Sequence, residues 1–78
     1  MRCDYLGQRP EVGRNKREAC IIYHQEREQE IAEYIIETLE DSGYIVTQED
    51  GFAYITVEDK NEFDDIYKIY KDVKERYM

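Results

Sequence analysis

Apolar and polar positions follow two different periods along the chain after residue 25. Between Glu26 and Asp41 apolar residues return every three or four positions, a spacing that predicts an amphipathic helix. The apolar face carries Ile31, Tyr34, Ile35, Thr38 and Leu39, widened by Ala32 and Ile36. Gly43 stands just beyond the predicted end, where glycine commonly terminates a helix.

Residues 44–48 and 52–58 alternate in the manner of strands, and Asp50-Gly51 lies between them. Asp-Gly favours a two-residue type I′ hairpin turn, in which both residues have positive φ. That loop pairs Glu49 with Phe52. Val46 then pairs with Ile55. The predicted core face carries Tyr44, Val46, Ala53, Ile55 and Val57, and the second face carries Ile45, Thr47, Phe52, Tyr54 and Thr56.

A second helix is predicted after Asp59, which can cap it with Glu62 at the third position. Its broad apolar face contains Phe63, Ile66, Tyr67, Ile69, Tyr70, Val73 and Tyr77. Basic residues gather in the later turns, where they suit the helix dipole.

The segment 19–24 is open to two interpretations. Its apolar run can form a strand. Alternatively, Asn15 and Glu18 resemble a capping box that starts one long helix at Lys16, continuing to Asp41. The predicted fold class is therefore α+β: two helices on an antiparallel β-hairpin, with or without a third strand at 19–24, in the order β-α-β-β-α.

Charge divides the chain into two parts. The 78 residues suit one small domain with a net charge of -8. Residues 1–17 carry five basic and two acidic side chains and are predicted to be a basic arm or loop; residues 18–78, with a charge of -11, form the acidic domain. An acidic body repels phosphate backbones, so direct nucleic-acid binding is not expected except through the arm.

Five glutamates share one helical face of the first helix: Glu26, Glu30, Glu33, Glu37 and Glu40. Like charges four residues apart cost a helix a few tenths of a kcal/mol. We therefore interpret this face as a protein-binding surface, although a solvated helix face is the simpler alternative. Asp41, Glu49 and Asp50 can extend it.

Eight tyrosines and no tryptophan make tyrosine the main aromatic residue of the chain. Tyrosine is enriched at interfaces because it combines a large apolar ring with a polar tip. Tyr44, Tyr67 and Tyr70 are assigned to the core. Tyr34 and Tyr54 are added to the predicted binding surface, and Tyr77 lies near the edge of its helix face.

No catalytic, cofactor-binding or metal site is predicted. The chain lacks a phosphate-binding glycine loop and a recognisable nucleophile. Cys20 and His24 would be one turn apart only in a helix, and a structural zinc site needs further ligands. Cys3 and Cys20 are too few for a disulfide framework. With no apolar leader and no membrane span, a cytoplasmic location is expected.

In size, charge and tyrosine content the chain is similar to small acidic inhibitors of phages and mobile elements, including anti-CRISPR and antirestriction proteins. This resemblance implies a non-catalytic, nucleic-acid-mimicking inhibitor. Its expected partner is the basic surface of a nucleic-acid-binding protein. The alternative is a structural or assembly subunit that forms a homodimer through the second hairpin face and the exposed tyrosines.

Overall fold

A computed structural model describes residues 1–8 and 17–77 and contains four strands and two helices. The elements are β1 (Arg2–Gln8), β2 (Arg17–Ile22), α1 (Glu26–Asp41), β3 (Ile45–Glu49), β4 (Phe52–Val57) and α2 (Lys60–Tyr77). The predicted α+β class is confirmed.

The strands form one antiparallel sheet in the order β1-β2-β4-β3. Because β4 lies between β2 and β3 and is antiparallel to both, β2, α1 and β3 form a split βαβ unit. The core lies between one face of this sheet and the two helices. Its largest fully buried side chains are Ile21, Ile35, Leu39, Ile55, Val57 and Ile66.

The first strand corrects the prediction that residues 1–17 are an arm or loop. Arg2–Gln8 pairs with β2, so this segment belongs to the domain. Cys3 is buried and Tyr5 half-buried, while Arg2 is exposed, as expected for a strand with one face on the core. The register shifts between Tyr5 and Gly7, which marks a β-bulge. Residues 9–16 of the predicted arm lie outside the described residues.

The segment 19–24 is resolved in favour of the strand, and the long-helix alternative is wrong. Ala19 and Ile21 are fully buried against the core, and β2 pairs with β1 on one side and β4 on the other. A helix through this segment would have placed the polar residues 24–30 in its middle. The chain instead ends the strand at Ile22 and begins α1 at Glu26.

The first helix has the predicted bounds, and its last turn explains the role of Gly43. The amide of Gly43, which has φ 96°, donates to the carbonyl of Glu40, and the amide of Tyr44 donates to that of Leu39. These two bonds form a Schellman motif. The motif turns the chain so that β3 begins at Ile45.

The hairpin register is confirmed, but the turn type is wrong. Glu49 pairs with Phe52. Among the described residues only glycines have positive φ, Gly51 included with 81°, so Asp50 does not adopt the type I′ conformation. The amide of Tyr23 donates to the Gly51 carbonyl over 3.0 Å, and its hydroxyl donates to the Phe52 carbonyl over 3.3 Å. The turn is therefore held by contacts to the end of β2 that local sequence does not reveal.

The second helix begins as predicted. The amide of Glu62 donates to the Asp59 carboxylate over 2.9 Å, and the amide of Phe63 to the Asp59 carbonyl over 3.3 Å. Ile66, Tyr70 and Val73 bury one face of the helix in the core. Tyr67 is the exception to the core assignment, because 43% of its surface is exposed.

Candidate protein-binding surface

All five glutamates of the predicted stripe are exposed on α1; we call this set the acidic ridge. The helix is oriented by the opposite stripe, in which Ala32, Ile35 and Leu39 are buried. Since α1 lies on the sheet through that stripe, the glutamates of the acidic ridge face solvent on the side of the molecule away from the sheet. The structure thus places Glu26, Glu30, Glu33, Glu37 and Glu40 together.

The charge of the ridge is unfavourable for the helix that carries it. No basic residue lies in the last turn of α1, where Glu40 and Asp41 stand near the negative end of the helix dipole. Ion pairs within 4 Å in the described part of the chain join Met1 to Glu28 and Arg2 to Asp4, and none includes a ridge glutamate. The ridge therefore presents carboxylates without basic partners among these residues.

Tyr34 and Tyr77 form a stacked aromatic pair beside the ridge. Their ring centroids are 4.5 Å apart and their planes differ by 13°. Their surfaces are 38% and 50% exposed. The hydroxyl of Tyr34 lies 3.5 Å from a carboxylate oxygen of Glu30, and this negative charge is the main reason why the pKa of Tyr34 is raised. The pair offers a flat apolar surface next to negative charge.

The hairpin turn extends the acidic surface on one side of α1. Glu33 shares an open depression of about 190 Å³ with Glu49 and Asp50, and the buried Tyr23 contributes to its lining. Burial is the largest cause of the raised pKa of Tyr23, and Asp50 adds to it. The structure thus brings Glu33, Glu49 and Asp50 together, as the sequence suggested. Asp41 is exposed at the other end of the helix.

Tyr54 does not belong to this surface. It pairs with Thr47 and Cys20 on the sheet face opposite the helices, whereas its neighbours Ala53 and Ile55 point into the core. We call this opposite side the outer sheet face. It contains Ile45, Thr47, Phe52, Tyr54 and Thr56 of the hairpin, with Cys20 and Ile22 of β2 beside them.

The outer sheet face is only partly apolar. Phe52 and Tyr54 stack with centroids 6.1 Å apart, and the ring of His24 meets Phe52 edge-on at 4.9 Å. Ile45 is the most exposed of the large hydrophobic residues, with 64% of its surface accessible. In the described part of the chain, both helices lie on the opposite face of the sheet, and neither covers these side chains.

Sequence reasoning missed Glu28, a buried carboxylate in the first turn of α1. The amino group of Met1 lies 2.6 Å from its Oε2 atom, and this hydrogen bond lowers the pKa of the carboxyl, partly offset by burial. The spacing contained a signal: Glu28 continues the buried stripe of Ala32, Ile35 and Leu39 by steps of four and three residues. Glu28 therefore links the first turn of α1 to Met1, the residue before β1, and is not part of the ridge.

Other chemistry is sparse in the described part of the chain. Cys3 and Cys20 are both buried, lie on opposite faces of the sheet and are not joined by a disulfide. No group of three or more histidine, cysteine, aspartate or glutamate side chains has the geometry to hold a metal ion among residues 1–8 and 17–77. Cys20 is in a strand and His24 follows it, so they do not have the one-turn helical spacing.

Comparison with models of protein families, with curated proteins and with solved structures gives no significant match to this chain. Neither helix in the described residues is long and apolar enough to span a bilayer.

Proposed function

We propose that this protein is a small, non-catalytic binding module that docks its acidic ridge on the basic surface of a nucleic-acid-binding protein. The supporting observation is that α1 holds five exposed carboxylates on one face, without basic partners among the described residues. Such an arrangement lowers helix stability slightly, so a binding role explains it better than a structural one.

The charge spacing of the acidic ridge supports a target that normally binds a nucleic-acid strand. From Glu26 to Glu40 the helix rises about 21 Å, so the ridge presents roughly one charge every 5 Å. A DNA strand carries one phosphate per about 3.4 Å of axis. The ridge and the depression at Glu33, Glu49 and Asp50 together can occupy a groove built for a phosphate backbone. This would make the protein an inhibitor of the anti-CRISPR or antirestriction type, acting by competition.

The stacked pair of Tyr34 and Tyr77 adds a contact that charge alone does not provide. Arginine side chains of a nucleic-acid-binding surface can stack on a tyrosine ring while pairing with a carboxylate. Glu30 lies close enough to Tyr34 to supply that carboxylate. This combination would hold the partner after electrostatic attraction has brought it in.

The role of the acidic ridge in binding can be tested by replacing its glutamates with glutamine, which removes the charge but keeps the shape of the side chain. The triple variant Glu30→Gln, Glu33→Gln and Glu37→Gln should fold at least as well as the parent protein, because it removes like-charge repulsion. Its association rate with the captured partner should fall about tenfold or more at low salt, with a smaller difference at high salt. Capture from nuclease-treated lysate of the source organism identifies the partner, and stopped-flow association measures the rate.

A matched control has the same change in net charge elsewhere. Asp64→Asn, Asp65→Asn and Asp72→Asn neutralise three exposed carboxylates of α2 and should leave the rate within about twofold. Added duplex DNA or RNA should displace the partner from the parent protein. Equal rates for both triple variants, or a partner that nucleic acid does not displace, would contradict the proposal.

The exposed Ile45 on the outer sheet face favours a second candidate, a self-associating structural or assembly subunit. Burial of the apolar side chains there would drive a dimer that resists salt. Tyr54→Ser or Phe52→Ser should then weaken the dimer by about tenfold or more, since each removes a large aromatic contact. Sedimentation equilibrium of the parent protein and both variants measures this, and a monomer at high concentration would rule the candidate out.

A further inference from the structure

We propose that the edge of β1 at Arg2–Tyr5, on the side away from β2, and the adjoining side of α2 bind an extended, acidic peptide segment of a partner protein. This site is separate from the acidic ridge and has the opposite charge preference. It combines a strand edge that has no partner strand among the described residues, an aromatic row and two ammonium groups, each of which contributes a different part of peptide recognition.

The aromatic row locates the site. The rings of Tyr5 and Phe63 are 5.3 Å apart, those of Phe63 and Tyr67 are 6.1 Å apart, and those of Tyr67 and Tyr70 are 5.7 Å apart. The Tyr70 hydroxyl also donates to the carbonyl of Met1 over 3.2 Å. These contacts place this side of α2 directly beside β1.

A surface pocket of about 400 Å³ opens at the end of this row. It is lined by Tyr67, Tyr70, Lys71, Lys74 and Glu75. Tyr70 is almost fully buried, whereas Tyr67 is exposed, so the pocket has an aromatic floor and an open side. An apolar side chain of a bound segment can enter it.

The strand edge supplies backbone hydrogen bonds. In the described sheet β1 is an end strand, paired only with β2. The bulge between Tyr5 and Gly7 interrupts regular pairing toward the end of the strand, which leaves Arg2–Tyr5 as the regular part of this edge. An incoming strand there would direct alternate side chains toward the helix and the pocket.

The charges around the pocket favour an acidic peptide segment over a second copy of this chain as the bound partner. The ammonium group of Lys74 lies 5.5 Å from the centroid of the Tyr70 ring, and Lys71 lines the same pocket against the single carboxylate of Glu75. Two copies of this chain paired edge to edge about a two-fold axis would bring both sets of lysines to the same interface. A segment with glutamate or aspartate at alternate positions avoids this repulsion and pairs with the lysines.

A synthetic peptide can stand in for the partner segment. The probe alternates glutamate with valine and contains one central phenylalanine, and the comparison peptide has lysine in place of each glutamate. Titration of the uniformly ¹⁵N-labelled protein should shift the amide signals of residues 2–5 and 67–75 with the acidic peptide. Hydrogen exchange of the β1 amides should slow at the same time.

Lys71→Glu combined with Lys74→Glu should weaken binding by about tenfold or more. Arg27→Glu combined with Lys60→Glu makes the same change in net charge at exposed positions outside the pocket and should alter binding less than about threefold. The proposal is overturned if the acidic peptide causes no shifts, if the shifts fall on α1 or the outer sheet face, if the lysine peptide binds equally well, or if both double variants behave alike. None of these results depends on the acidic ridge, so the two proposals can fail separately.

Discussion

Raising the pH from 9 to 12 is expected to lower the free energy of unfolding by up to about 4 kcal/mol through Cys3 alone. Burial raises the pKa of this thiol from 9.0 to about 12, with Asp4 adding to the effect. One pKa unit corresponds to about 1.4 kcal/mol. A domain of this size has a total stability of roughly 4–12 kcal/mol, so the loss would be a large part of it.

The sign follows from proton binding in the two states. Above pH 9 the thiol of the unfolded chain loses its proton, whereas the folded chain keeps it until the pH approaches 12. The unfolded state then binds fewer protons, and stability falls as the pH rises. Stability from this group is fully present below pH 9. Buried Tyr70 and half-buried Tyr44, whose pKa values are raised above 10.0 mainly by burial, add losses in the same direction.

Urea denaturation at several pH values between 7 and 12 measures this effect. Cys3→Ala removes the titrating thiol, so its stability should fall less steeply above pH 9 than that of the parent, whatever its starting stability. Cys20→Ala keeps Cys3 and should retain the steep fall. Parallel curves for the parent protein and Cys3→Ala would show that Cys3 does not titrate in this way.

Ile55→Ala is expected to lower the free energy of unfolding by about 2–5 kcal/mol. Ile55 is fully buried in β4, which is bordered by β2 and β3 and covered by the helices on one face. Removing three carbons leaves a cavity that paired strands on both sides cannot easily close. Part of the protein is therefore expected to be unfolded at 25 °C if the parent stability lies at the low end of its range.

Ile45→Ala is the matched control, because it makes the same chemical change one strand away. Ile45 lies on the outer sheet face and is 64% exposed, so the loss should stay below about 1 kcal/mol. Urea denaturation of the parent and both variants measures the loss in the free energy of unfolding. The comparison uses the urea midpoint and the slope of the unfolding free energy against urea concentration. Similar losses at the two positions would mean that the outer sheet face is covered in solution, as the dimer candidate requires.

Local patterns predicted those parts of the fold that local interactions determine. The bounds of α1 follow from its periodicity and from Gly43, and the hairpin register follows from the two residues between its strands. The first strand was not predicted, because no local sequence pattern indicates its pairing with β2. The alternation of its buried and exposed residues also breaks at the bulge after Tyr5. The conformation of Asp50 was predicted wrongly, because a hydrogen bond from Tyr23, which is distant in sequence, stabilises the turn.

The candidate surface was predictable only where its residues share one element. The five glutamates lie together because helical spacing guarantees it once the buried stripe is known. Tyr54 was grouped with them on residue type, but strand pairing puts it on the other side of the sheet. The stacking of Tyr34 on Tyr77 depends on how two helices pack, which their separate sequences do not specify.

The strand order also has a consequence for how the chain reaches its native state. Strands β3 and β4 are neighbours in sequence and can form a hairpin within microseconds. β2 must then pair with β4, although α1 and β3 separate the two strands in sequence. The pairing of Arg17 with Val57 is an example. Because long loops close slowly and at an entropic cost, we expect this docking to limit the folding rate. Until it occurs, β4 exposes an apolar edge, so newly made chains are most prone to aggregation at that stage.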